Sequence, residues 1–110
     1  MLLSGDLFVP THILGIKELS SRAKLLYAVI LTRAFPDGFC SDSDMELGKN
    51  MRVSARTVKN HLSALEMCGL VKCKDFNTER RLYPLEKDFS LLKEFIADGR
   101  QYAANQSRKE

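Results

Sequence analysis

The segment from Ser43 to Tyr83 leaves few folds open, because it sets two capped helices back to back and follows them with two short extended runs. Ser43-x-x-Glu46 is a capping box: the serine hydroxyl can accept the amide three residues on, and the glutamate can reach back to the serine amide. The helix it opens is short and is expected to end near Asn50. Met45 and Leu47 are predicted to face inward, and Gly48 permits close approach of another backbone. Met51-Arg52-Val53 reads as a turn. Ser54 caps the next helix, whose predicted inner face is Ala55, Val58, Leu62 and Leu65. Gly69 suits the left-handed position past a helix end. Leu70 to Lys74 alternates like a strand, Asp75 to Glu79 reads as a polar turn with an exposed Phe76, and Arg80 to Leu85 returns until Pro84 stops it. The order predicts a mainly α fold with a small antiparallel β-ribbon, that is, a winged helix-turn-helix.

The rest of the chain supplies a frame for that unit. Leu7-Phe8-Val9-Pro10 is an apolar lead-in, and Thr11 can open a short turn through Leu14. Ser20 or Ser21 opens a longer helix to about Phe35. Ala23, Leu26, Tyr27, Ile30, Leu31 and Ala34 form its stripe, widened by Leu25 and Val29. Pro36-Asp37-Gly38 ends it, and Phe39-Cys40-Ser41 is a short strand candidate. A last helix is predicted from Asp88 or Ser90 to about Asp98, with Phe89, Leu92, Phe95 and Ile96 inward and Gly99 as its stop. The expected organisation is a winged helix-turn-helix domain over 1–86, a helix over 87–99 for core closure or dimerisation, and a flexible tail over 100–110.

At 110 residues and 45% hydrophobic content, one domain can bury a core without metal or disulfide. Cys40, Cys68 and Cys73 lack paired spacing, so no metal site is expected, and Cys40 and Cys68 read as small reduced hydrophobes. No apolar run approaches a bilayer span, and the first residues lack the pattern of a signal peptide, so a cytoplasmic location is expected. With two histidines, no nucleophile arrangement and no glycine-rich phosphate loop, neither an enzyme nor a cofactor or small-molecule substrate is expected. His61 reads as a half-buried packing residue and His12 as isolated.

Charge placement is more informative than the net +3. Over residues 51–81, Arg52, Arg56, Lys59, Lys72, Lys74, Arg80 and Arg81 outnumber Glu66, Asp75 and Glu79, while the flanking segments are close to neutral. A phosphate backbone would find its counter-charges there. Along the second capped helix, arginine can grip guanine and asparagine adenine through paired hydrogen bonds. Ser54, Arg56, Thr57 and Asn60, near the helix start, are expected closest to the bases, with Lys59 and Ser63 on phosphate. Lys72, Lys74, Arg80 and Arg81 are expected to flank the groove from the ribbon, although charges there also protect a sheet edge from aggregation. Asp42 and Asp44 fit a helix start.

Several blocks resemble a known family. Pro10-Thr-His-Ile-Leu, Leu19-Ser20-x-x-Ala23-Lys24-Leu25-Leu26-Tyr27-Ala28-x-Ile30, Asp37-Gly38-Phe39-Cys40 and Val53-Ser54-x-Arg56-Thr57-Val58-Lys59-x-x-Leu62-x-x-Leu65-Glu66-x-x-Gly69-Leu70-Val71 resemble winged helix-turn-helix domains of bacterial mobile elements. Such domains occur in plasmid replication initiators, phage replisome organisers and small regulators. The resemblance implies double-stranded DNA as partner and the helix after Ser54 as the recognition element. About 25 residues follow Leu85, which fits a small regulator or an excised DNA-binding domain better than a complete initiator. The expected function is sequence-specific duplex binding in transcription control or replication initiation, as a homodimer; the alternative is a winged helix that docks proteins instead.

Overall fold

The computed structural model describes residues 7–109; the opening six residues, read above for signal-peptide features, and Glu110 lie outside them. In chain order the elements are α1 (Thr11–Leu14), α2 (Ser21–Arg33), α3 (Asp44–Met51), α4 (Ala55–Met67), β1 (Val71–Phe76), β2 (Glu79–Pro84) and α5 (Glu86–Lys109).

Helix α2 is the central post. The Ser20 hydroxyl accepts the Ala23 amide at 3.1 Å and starts it. From Leu26 to Leu31 every residue is buried, a pattern no one-sided stripe would give, and α2 touches α3, α4, α5 and β2. Leu25, predicted to widen the stripe, instead faces solvent.

The ribbon pairs Val71 with Pro84 and continues in register to Phe76 opposite Glu79. Its turn is therefore only Asn77-Thr78, shorter than the sequence suggested. Asn77 takes a φ of 58°, a left-handed conformation that asparagine tolerates better than most residues. The strand predicted around Phe39 reduces to one bridge, in which Cys40 and Leu82 exchange two backbone hydrogen bonds of 2.9 Å. Because side chains alternate, Val71, Leu82 and Pro84 turn to the core. Lys72, Lys74, Phe76, Glu79, Arg81 and Tyr83 share the outer face.

Helix α5 starts at Glu86 and passes through Gly99, where an end was predicted, to Lys109. A helix-interior glycine costs about 1 kcal/mol relative to alanine, which weakens a helix without stopping it. Leu92 is fully buried, while Phe95 stays 44% exposed and rests one side on Phe8, with ring centroids 5.3 Å apart. Among the described residues, no helix is long and apolar enough to cross a membrane.

Asp88 departs most from its expected role. It is not a helix cap but a fully buried carboxylate. The Tyr27 hydroxyl donates to its Oδ2 at 2.6 Å, and His12 Nε2 lies 2.8 Å and 3.0 Å from its two oxygens. Tyr27 in turn accepts the Leu85 amide at 3.2 Å. Burial, and then the adjacent carboxylate, push the Tyr27 phenol far above its ordinary pKa, so it remains a protonated donor. His12, expected to be isolated, thus ties α1 to α5 through the same group.

Tyr27→Phe removes one donor from the buried carboxylate and the acceptor of the Leu85 amide. It should cost about 2 kcal/mol in urea unfolding. His12→Ala should cost less, because that imidazole is 38% exposed. A larger loss from His12→Ala would mean that the carboxylate is held chiefly from α1.

Candidate nucleic-acid interface

The helix-turn-helix is locked by local chemistry. The Ser43 hydroxyl accepts the Glu46 amide at 3.2 Å and the Glu46 carboxylate accepts the Ser43 amide at 3.0 Å, completing the predicted capping box. Only Leu47 and Gly48 of α3 are buried; Met45, predicted inward, is 65% exposed on the opposite side of this short helix. Gly48 lies so near the turn that a β-carbon there would sit 2.6 Å from the Val53 carbonyl oxygen. The Val53 amide donates back to the Gly48 carbonyl at 2.9 Å. Arg52, between them, is left-handed with a φ of 57°.

Ser54 then starts α4 by accepting the Thr57 amide at 3.2 Å. Val58, Leu62 and Leu65 anchor the helix. Ala55, predicted on that inner face, is exposed, since α4 meets the core only from Val58 onward. Arg56, Lys59, Asn60 and Ser63 are exposed and Thr57 is half-buried. The hydroxyls are already engaged: Ser54 with Thr57 Oγ1 at 3.0 Å, and Ser63 with the Lys59 carbonyl at 3.1 Å. The side chains of Arg56, Lys59 and Asn60 have no hydrogen-bond partner among the described residues. They surround the start of α4, where unpaired amides and the helix dipole favour an anion. Arg52, counted in the basic surplus of residues 51–81, and Lys49, not singled out from the sequence, are exposed in the turn and at the end of α3.

The ribbon cations do not form one set. Arg80 points inward, donating from Nη1 to Asp44 Oδ1 at 2.6 Å and from Nη2 to the Asp42 carbonyl at 2.7 Å. It fastens β2 to the start of α3. Asp42 is itself paired with Arg33. Arg81 is on the outer face, bound to Glu79 at 2.7 Å and stacked between Phe39 and Phe76 at 4.3 Å and 4.5 Å from their ring centres. Lys72 and Lys74 are exposed without a carboxylate partner among the described residues. His61 is half-buried, as expected. Cys40 is buried, and burial raises its thiol pKa; Cys68, expected to pack like it, is exposed past the end of α4.

A three-helix unit whose last two helices are joined by a tight turn, followed by an antiparallel ribbon, is a winged helix-turn-helix. No family model matches the chain, and no curated protein matches it. Among solved structures, a MarR family protein from Bacillus stearothermophilus is similar, with 22% identity and a TM-score of 0.49 over 86% of this chain. The matched region spans 63% of that protein.

Arg80→Gln should lower stability by about 1–2 kcal/mol, having lost a charge-assisted bond to Asp44. Lys72→Gln and Lys74→Gln, both exposed, should stay within about 0.5 kcal/mol of the parent. Equal thermal-unfolding midpoints for all three variants would show that Arg80 does not hold the ribbon in place.

Proposed function

We propose that the chain binds duplex DNA sequence-specifically, with α4 in the major groove, and so serves transcription control or replication initiation on a plasmid or phage. One observation carries this reading. Arg56, Lys59 and Asn60 stand exposed, with no side-chain partner among the described residues, on the early face of a helix whose start is positioned by the Gly48–Val53 contact. Arg56 can donate twice to a guanine edge, Asn60 can donate to and accept from an adenine edge, and Lys59, Lys49 and Arg52 are suited to phosphate. Ser54, Thr57 and Ser63, whose hydroxyls are bound within the helix, are better placed as shape and phosphate contacts. On this reading residues 1–86 form the DNA-binding unit and α5 the element that joins two copies.

Selection of preferred sites from a random duplex pool gives the reference sequence. Arg56→Ala and Asn60→Ala should each weaken binding to it by about 1–3 kcal/mol and relax the preference at one position. Equal weakening on every sequence would instead make them phosphate contacts. Absence of duplex binding, or an affinity that ignores salt, would favour a protein-docking role.

The dimer is favoured by α5. Leu91 and Phe95 are exposed on it, and Leu7 and Leu14 are exposed at the other end of the chain. A symmetric pair would place two α4 helices on a two-fold site. Sedimentation at micromolar concentration should give a dimer mass, reduced to that of a monomer by Leu91→Glu. A monomer mass for the parent protein would exclude this arrangement.

A further inference from the structure

We propose that the outer face of the β1–β2 ribbon is a second nucleic-acid surface, one that takes a single strand. Register places Lys72, Lys74 and Phe76 opposite Tyr83, Arg81 and Glu79 on that face. Phe39 extends it, 5.7 Å from Tyr83 between ring centroids. Rings and cations alternate: Arg81 lies between Phe39 and Phe76, and Lys74 Nζ is 5.5 Å from the Tyr83 ring. Phe76 is 52% exposed, so much of its ring is open to solvent although Arg81 stacks on it.

A groove of about 420 Å³ runs from this face to the start of α5, with Lys72, Lys74, Tyr83, Leu85 and Phe89 along it. Lys93 adds a further charge, its Nζ 5.3 Å from the Phe89 ring. The opposing carboxylates are Glu79, already paired with Arg81, and Glu86 at the groove's edge. Lys72 and Lys74, without carboxylate partners among the described residues, outnumber Glu86 along the groove and leave its lining positive, with Lys93 over the Phe89 ring beside it.

The combination selects among polyanions. Duplex DNA hides its base faces, so it would use the lysines and leave the rings idle. An acidic peptide would do the same. An unpaired strand uses both, with phosphates on the lysines and base faces on the rings, the arrangement by which sheet faces and basic grooves hold single strands. Lys72 and Lys74, two residues apart on one strand, are spaced by about 7 Å and can follow a backbone. The surface is also separate from the one proposed for the duplex. Its groove opens beside Gly69 and Leu70, past the end of α4. The 13 residues of α4 put Ser54 about 20 Å away along the helix.

The test is fluorescence anisotropy of labelled oligothymidylate and oligouridylate with the full chain. Binding is expected, and Phe76→Ala should weaken it about tenfold, the size of one lost base–aromatic stack, without changing affinity for duplex. Lys72→Gln with Lys74→Gln should weaken it further and flatten its salt dependence. Arg56→Ala should leave single-strand binding intact while it damages duplex binding, so the two surfaces fail separately. Preference between the two oligomers would identify DNA or RNA as the better ligand. The proposal is overturned if neither oligomer binds, if Arg56→Ala abolishes their binding, or if polyglutamate competes equally and Phe76→Ala has no effect.

Discussion

The whole structure hangs on the burial of α2 from Leu26 to Leu31 on every side. A helix wrapped in this way needs neighbours all round it, and α3, α4, β2 and α5 are those neighbours. Each of its large apolar residues contributes roughly 1.5–3 kcal/mol when removed from water. Tyr27 gives that apolar post one directional contact, a 2.6 Å hydrogen bond into the buried Asp88. The last helix is thereby held at a fixed place along α2. Apolar burial alone would allow it to slide.

On this post the helix-turn-helix is set by backbone geometry more than by side chains. Gly48 meets the Val53 carbonyl at a distance only glycine allows, and Arg52 accepts a left-handed conformation to close the turn. Such a conformation is costly for a non-glycine residue and persists where the surroundings enforce it. This rigidity fixes the α4 backbone in advance, so that only its exposed side chains would remain to be ordered on contact with a partner. Arg80 extends the same rigidity to the ribbon by linking β2 to the start of α3.

The division of positive charge gives the domain two surfaces with different chemistry. Around the start of α4, no cation lies over an aromatic ring among the described residues. On the outer ribbon face, cations and rings are interleaved. The groove beside the ribbon opens next to Gly69 and Leu70, past the end of α4, whereas the exposed side chains of Arg56, Lys59 and Asn60 lie toward its start.

Much of this was legible in the sequence because it is local. Ser20, Ser43 and Ser54 cap helices through amides three residues away, and Gly69 adopts the left-handed φ of 74° its position suggested. The fold class and the exposed face of α4 follow from these signals and from three- and four-residue spacing. Spacing failed where a short helix or a helix start has only one residue to place, as at Met45 and Ala55. It failed also at Gly99, where a weak helix former is not a stop. The fate of each charge could not be read at all. Arg80 and Lys72 look alike in a charge count, yet one is fixed to Asp44, 36 residues away, and the other has no carboxylate partner among the described residues. Asp88 looks like a cap, but its partners are Tyr27 and His12, 61 and 76 residues earlier. Local hydrogen bonds and periodic burial are properties of a segment, so the sequence determines them; which charges are neutralised and which face outward depends on distant segments meeting, and only the tertiary structure decides that.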